Sequence, residues 1–170
     1  EWGLTKISLP VREKNNFETY DGINRSSAAL NFTDAAKNQY REAVASVLPN
    51  SERHKYWTND DDFVAPCKGD YSNFGRILVM SDDEAVHNIG IDIYAEEGTS
   101  VNPTHNGKVV FAGELSLTGK TIIIDHGFDV FSYYFHLGSI DCSVGDTVAK
   151  NSVIGTVGST GFLVEDTSYM

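Results

Sequence analysis

Three apolar runs separated by glycine decide the fold of this chain: KVVFA at residues 108–112, TIIID at residues 121–125 and VFSYYFH at residues 130–136. Each run is short and rich in β-branched or aromatic side chains, a composition that favours strands. Glycine and aspartate lie between the runs, as is usual in tight turns. We therefore expect neighbouring antiparallel strands in this region.

Similar runs extend this pattern over the chain from Phe63 onwards. No useful window of helical periodicity lies in this part, and most of the 15 glycines of the chain punctuate its apolar runs. The predicted fold class is therefore mainly β, an antiparallel β-sandwich or open barrel. Further strands are predicted at residues 76–80, 89–94 and 153–157.

The part of the chain before Phe63 is polar and carries one helix signal. Thr33, or Asn31 before it, is a suitable N-cap, and apolar residues follow at helical spacing until Pro49. An N-cap followed by such a spacing predicts one amphipathic helix, over about residues 33–48.

The change in pattern at Phe63 predicts two parts, an N-terminal extension with one helix at residues 1–62 and a β domain at residues 63–170. A length of 170 residues suits one domain with an appendage. No apolar run approaches the roughly 20 residues that a spanning helix needs. We therefore expect no membrane span in this chain.

The charge of the chain bears on its partners. It has 24 acidic and 13 basic residues and a formal net charge of -11. Such a field repels the phosphates of nucleic acids, so we expect no nucleic-acid partner. Cys67 and Cys142 are the two cysteines. A disulfide would close a loop of about 75 residues, and both a disulfide and two free thiols remain open.

The first candidate site lies in VHNIGID, residues 86–92, where His87 precedes Asp92 by five residues. Imidazole and carboxylate are standard zinc ligands. An odd separation places the two side chains on opposite faces of a regular strand, so a shared metal requires a bulge or turn before Gly90. Asn88, four residues before Asp92, shares its face, but an amide is a poor zinc ligand.

The second candidate site is the aromatic run YYFHL, residues 133–137. Alternation along a strand places Tyr134 and His136 on one face. A histidine beside a metal-bound water can orient the water, transfer its proton or stabilise an oxyanion. The structural alternative is a core strand whose terminal histidine caps a sheet edge.

The motifs that follow one another from residue 63 to residue 161 resemble those of the lysostaphin-type (LytM-like) zinc metallopeptidases. These are bacterial endopeptidases that cut the peptide cross-bridges of peptidoglycan. The resemblance implies an antiparallel fold of the LytM-like peptidase type for residues 63–170. It is carried by FVAP (63–66), NFGR (73–76), GIDI (90–93), EGTSV (97–101), NGKVV (106–110), IDHG (124–127), YFHL (134–137), VGDTV (144–148), IG (154–155) and GSTG (158–161).

The resemblance also implies roles for individual residues. In that family a His, an Asp four residues later and the second His of a late His-x-His pair hold one zinc ion. The His of Tyr-x-His-Leu and the first His of the late pair assist catalysis. By position, Asp92 is then a zinc ligand and His136 the catalytic histidine. The early ligand falls at Asn88 by strict spacing, or at His87 if one residue is inserted before Gly90, and we predict His87.

The late His-x-His pair is missing from residues 162–170. The resemblance therefore implies that the domain lacks the family's last strand. A catalytic zinc ion normally takes three protein ligands and a water, whereas this sequence supplies at most two. Three interpretations remain open. The chain is a piece of a longer protein, as its start at Glu1 also indicates; it is a natural pseudoenzyme; or it uses an atypical ligand such as His54, His105 or His126.

Two functions follow from the resemblance. The leading hypothesis is a zinc-dependent endopeptidase domain that acts on peptidoglycan cross-bridge peptides, with Zn²⁺ as cofactor if the site is completed. The alternative is a catalytically inactive LytM-like module that binds the cell wall or a protein partner and regulates it. Asn88 and the missing late histidines are what this alternative predicts. Either function implies an extracytoplasmic location, in the periplasm, in the cell envelope or outside the cell.

Overall fold

The structure, a computed structural model, describes residues 19–20, 32–58 and 61–161. It contains one α-helix, one short 3-10 helix and twelve strands within these ranges. The elements are β1 (Thr19–Tyr20), α1 (Asp34–Val47), the 3-10 helix (Leu48–Asn50), β2 (Asp70–Tyr71), β3 (Ile77–Val79), β4 (Ala85–His87), β5 (Ile93–Tyr94), β6 (Ser100–Val101), β7 (Gly107–Leu115), β8 (Gly119–Asp125), β9 (Phe131–Leu137), β10 (Ser139–Ile140), β11 (Thr147–Val148) and β12 (Gly155–Thr156).

The main sheet has four antiparallel strands in the order β11-β7-β8-β9. Three smaller sheets surround it, in the orders β10-β12-β6, β1-β3-β4 and β2-β5. Every pairing except the parallel pair of β1 and β3 is antiparallel. The predicted fold class, mainly β and antiparallel with an N-terminal helix, is confirmed.

Strand β8 forms the centre of the protein because both of its faces are covered. Ile122 and Ile124 point into the main hydrophobic core, together with Val109 and Leu137. Ile123, on the opposite face, is also fully buried. A strand covered on both sides requires a continuous apolar run, which is what the TIIID motif supplies.

Helix α1 begins and ends close to its predicted bounds. The Thr33 hydroxyl accepts a hydrogen bond from the Ala36 N–H at 3.2 Å, as an N-cap does. The helix packs on the main sheet, where the Gln39 side chain accepts from the Ser116 N–H at 2.9 Å and the Tyr40 ring meets the edge of Phe135 at 5.9 Å. The helix therefore packs over the main sheet, against β7 and the Phe135 ring of β9.

The segment after the helix is bound to the end of β8 through a buried carboxylate. Asp125 is fully buried, and its oxygens accept hydrogen bonds from the Ser51 hydroxyl at 2.9 Å, the Glu52 N–H at 2.7 Å and the Gly127 N–H at 2.7 Å. The Lys108 ammonium contacts Glu52 at 2.8 Å. The predicted boundary between residues 62 and 63 stays a prediction, although strong polar contacts cross it.

Cys67 and Cys142 both carry free thiols. Each thiol is half-buried against the core, and this burial raises the pKa of both cysteines. Among the described residues, no helix has both the length and the apolar character needed to cross a membrane.

Candidate functional site

The carboxylate of Asp92 lies at the centre of the candidate site. Its backbone is fixed by the neighbouring segment, because the Asp92 N–H donates to the Ser72 hydroxyl at 2.9 Å and the Ser72 N–H donates to the Asp92 carbonyl at 2.9 Å. These two hydrogen bonds fix the backbone of Asp92 directly before β5. Its side chain is 29% exposed, which leaves it accessible to a ligand.

Asn88 occupies the position beside this carboxylate. Its amide nitrogen donates to both oxygens of Asp92, each at 2.9 Å. Its amide oxygen accepts from the Gly90 N–H at 3.0 Å, which fixes the orientation of the amide because an N–H cannot donate to an NH₂ group. This turn also explains why only Ile93 and Tyr94 of the predicted strand 89–94 are regular.

Arg76 supplies a positive charge to the same site. One guanidinium nitrogen lies 3.8 Å from Oδ2 of Asp92 and donates to the Tyr94 hydroxyl at 2.8 Å. The Arg76 side chain is only 12% exposed. Arg76 was not predicted as a member of the site, because its partners follow it by 16 and 18 residues and no local spacing relates them.

His136 lies at the end of β9 in an unusual backbone conformation, with φ of 57°. Its N–H donates to the Thr118 carbonyl at 2.8 Å. The expected alternation along β9 was wrong at this point, because Tyr134 and Leu137, three residues apart, both point into the core. A register shift between β8 and β9 accompanies the change, so His136 does not follow the face of Tyr134.

The protonation of His136 is set by its surroundings. Nδ1 lies 2.7 Å from the Thr160 carbonyl, which can only accept, so Nδ1 carries the proton and Nε2 has the free lone pair. Burial lowers the pKa of His136, while the Thr160 carbonyl and the charge of Asp92 act in the opposite direction. The negative charge of Asp92 thus acts on His136 but counters only part of the effect of burial.

His87 takes a different place. It is the last residue of β4, exposed, and lies opposite Ile77 of β3. The contacts of the Asp92 carboxylate described above come from Asn88 and Arg76. The role of His87 as a metal ligand stays a prediction, as do the roles of Asp92 and His136.

The three other histidines have other described partners. His126 is fully buried, with Nδ1 2.7 Å from the Asn106 carbonyl and Nε2 2.7 Å from the Ser132 hydroxyl. His105 is also buried, and its Nε2 lies 3.1 Å from Asp61. His54 packs against Tyr56, with ring centroids 4.4 Å apart and ring planes inclined by 52°. Within the described ranges, no group of three or more His, Cys, Asp or Glu side chains could hold a metal ion.

Among the described residues, the groups in direct contact with the Asp92 carboxylate do not fit a catalytic zinc ion. Zinc is held by imidazole, thiolate or carboxylate, whereas the side chains that hydrogen-bond or ion-pair with Asp92 are an amide and a guanidinium. The amide N–H groups occupy lone pairs of both carboxylate oxygens, and the guanidinium charge opposes a second cation at this distance. The described residues form a hydrogen-bonded and ion-paired group at this position.

Comparison with known proteins gives concordant results. Residues 86–168 match the model of peptidase family M23. The murein hydrolase activator NlpD of Escherichia coli (strain K12) is 39% identical over 88 residues, which are 51% of this chain and 23% of that protein. The DD-carboxypeptidase/endopeptidase Mpg of Neisseria meningitidis serogroup B (strain ATCC 13091 / M2091) is 38% identical over 72 residues, 42% of this chain and 16% of that protein.

Among solved structures, the crystal structure of a candidate peptidase M23 from Pseudomonas aeruginosa is similar, with a TM-score of 0.56 and 25% identity. The similarity covers 76% of this chain and 53% of that one. This chain thus spans about half of that structure, and less than a quarter of each of the two curated relatives.

Proposed function

We propose a function from the premise that residues 86–168 belong to peptidase family M23, as the lysostaphin-type motifs predicted. This chain is a non-hydrolytic module that binds peptidoglycan peptides and regulates their cleavage. Its place of action is then extracytoplasmic. A protein partner of the cell envelope is the alternative ligand. In this function the chain binds peptidoglycan, the polymer that the family's peptidases cleave, without cleaving it.

One observation carries this proposal: the Asn88 amide donates to both oxygens of Asp92. From the family resemblance, a zinc-binding histidine is expected four residues before Asp92, and this chain has Asn88 at that position. A neutral amide donor in that position satisfies the carboxylate without a metal ion. The similarity to NlpD, which is named a murein hydrolase activator, supports a regulatory role.

The proposal is tested with purified peptidoglycan sacculi. The chain is expected to sediment with intact sacculi and to remain soluble when the sacculi are digested to fragments beforehand. Chromatography of the supernatant should find no more released muropeptide, with or without added zinc, than an Asp92→Ala variant releases. Zinc-dependent release above that control would contradict the proposal, and failure to sediment would contradict peptidoglycan as the ligand.

A second candidate is the zinc-dependent endopeptidase acting on peptidoglycan cross-bridge peptides. The observation in its favour is the electrostatic interaction of His136 with Asp92, the two residues to which the resemblance gives catalytic and metal-binding roles. In this candidate His87 and Asp92 hold zinc, with a third ligand from outside the described residues, and His136 is the catalytic residue. Release of muropeptides that is lost in His87→Ala would favour it.

A further inference from the structure

The hydroxyl of Thr160 lies between the paired strands β8 and β9. Its Oγ1 accepts from the Lys120 N–H at 2.9 Å and donates to the Leu137 carbonyl at 2.8 Å. Lys120 and Leu137 are register partners, so a regular antiparallel ladder would join their backbone groups directly. One hydroxyl takes the place of that hydrogen bond, and it does so beside the register shift that separates this pair from Ile122 and Tyr134.

The carbonyl of Thr160 is confined by its neighbours. Its oxygen lies 2.7 Å from Nδ1 of His136. It also packs against Gly119, which has φ of 61° and where an added Cβ would lie 2.3 Å from this oxygen. Because the hydroxyl is bonded to both strands and the carbonyl fills the space beside Gly119, the carbonyl faces the His136 ring in one orientation.

The other nitrogen of the His136 ring is available to a ligand. With the proton on Nδ1, Nε2 has a lone pair and no proton. The ring of His136 is half-buried. Nε2 has no hydrogen-bond partner among the described residues, and it is not one of their buried atoms that lack one, so it is accessible from outside. A nitrogen in this state accepts hydrogen bonds but cannot donate one.

We propose that Thr160 is a positioning residue: its hydroxyl bridges β8 and β9 and its carbonyl fixes the proton of His136 on Nδ1, so that Nε2 accepts a hydrogen bond from an N–H group of a bound peptide. Peptide ligands carry such groups along their backbone, whereas an ionised carboxylate has acceptors only and finds no donor at Nε2. The identity of the ligand rests on the proposed function. The orientation of the His136 ring does not depend on it.

The position of the proton is tested directly by NMR. Long-range proton–nitrogen spectra of the isotope-labelled chain at pH 8, above the ordinary histidine pKa of about 6.5, report which ring nitrogen of each histidine is protonated. The signals of His136 are assigned by their absence in His136→Asn. We expect a protonated Nδ1 and a bare Nε2. A protonated Nε2 in wild type would overturn the inference, and this measurement requires no substitution at Thr160.

The role of the hydroxyl is tested with three variants. Thr160→Val keeps a branched side chain and removes the bridge between the strands, so we expect His136 to become a mixture of the two protonated forms. Thr160→Ser retains a hydroxyl and should keep the wild-type signals. Thr156→Val is the matched control, because the half-buried Thr156 hydroxyl lies 3.0 Å from the Ser139 hydroxyl, and it should leave His136 unchanged. A single wild-type form of His136 in Thr160→Val would overturn the role of the hydroxyl.

The acceptor role of Nε2 is tested with muropeptides released from sacculi by a muramidase. Their addition should shift the Nε2 signal of His136 and leave Nδ1 protonated. Thr160→Val should bind intact sacculi about fivefold more weakly than wild type, as expected for one hydrogen bond, and Thr160→Ser should bind like wild type. Binding to sacculi without a shift at Nε2 would overturn the acceptor role and leave the proposed function standing. Failure of wild type to bind sacculi would contradict the proposed ligand, whereas the proton on Nδ1 is decided by the NMR spectra alone.

Discussion

The buried carboxylate of Asp125 accepts a hydrogen bond from the Ser51 hydroxyl at 2.9 Å, and this contact joins the segment after the helix to the end of β8. The Glu52 and Gly127 N–H groups donate to the same carboxylate. A buried anion with three donors is satisfied only while all three remain in place. The end of β8 and residues 51–52 are thus one structural unit.

Asp125→Asn should therefore lower the free energy of unfolding by about 2–4 kcal/mol, because an amide NH₂ cannot accept from the N–H groups that face it. Urea unfolding followed by tryptophan fluorescence measures the change. Asp129→Asn is the matched control, since the Asp129 side chain is 63% exposed and pairs with the exposed Arg53. A loss of equal size in both variants would contradict the role of Asp125.

Gly127→Ala should be one of the most damaging small substitutions in the chain. Gly127 has φ of 89°, and an added Cβ would lie 1.7 Å from the His54 carbonyl oxygen, so the two segments would have to separate. We expect a loss of at least about 3 kcal/mol in the free energy of unfolding.

Gly145→Ala is the control for the backbone contribution. Gly145 has a similar φ of 99° but has no atom within 4 Å of an added Cβ. It should cost only the conformational penalty, about 1 kcal/mol. Similar losses in the two alanine variants, measured by denaturant unfolding, would show that the contact with His54 contributes little.

The stability of the folded protein should fall in mild acid. Burial lowers the pKa of His126 and of His136, so the unfolded chain binds more protons than the folded one just below the ordinary histidine pKa of about 6.5. The free energy of unfolding is therefore at its full value above this pKa and decreases as the pH falls from about 7 to about 5.

His136→Asn should reduce this pH dependence. Asparagine tolerates a positive φ, and its amide can donate to Thr160 in place of Nδ1, but it does not titrate. Denaturant unfolding at pH 7, 6 and 5 should give a shallower decrease for the variant, with the remaining slope due to His126. An unchanged slope would show that His136 does not take part in the pH dependence.

Asn88→Asp should be less stable than Asn88→Ala at pH 7. The new carboxylate would face Asp92, and like charges at this distance cost about 1–3 kcal/mol even with Arg76 nearby. Because the cost requires two ionised carboxyls, the difference between the variants should shrink towards pH 4. Thermal unfolding of both variants at the two pH values tests this. A difference that is independent of pH would point to packing instead of charge.

The parts of the fold that depend on local pattern were predictable. The TIIID run predicted the strand that became Gly119–Asp125, and Thr33 predicted the start of the helix. The even spacing of Asn88 and Asp92 predicted that their side chains share a side; the structure brings amide and carboxylate together, but through a turn at Gly90 and not along a strand. Each of these features is determined by residues at most a few positions apart.

The parts that depend on distant contacts were not predictable from one sequence. Arg76 belongs to the site because the pairing of β3 with β4 continues to Arg76, whose carbonyl accepts from the Asn88 N–H at 2.8 Å, and no local spacing encodes that pairing. The bulge that turns His136 away from the face of Tyr134 depends on the register between β8 and β9, which strand alternation cannot supply. The third ligand of a zinc ion, expected outside the motifs found, stays a prediction.

The close approach at Gly127 limits how the chain can be shortened. Besides the contact with His54, the Tyr56 N–H donates to the His126 carbonyl at 3.0 Å and the Phe128 N–H to the Glu52 carbonyl at 2.9 Å. An expression clone that begins at Phe63, where the sequence pattern changes, would lack the residues that make these contacts. The Asp125 carboxylate would then lose two of its three hydrogen-bond donors and become exposed to water. A crystallisable truncation should retain Ser51 and everything after it.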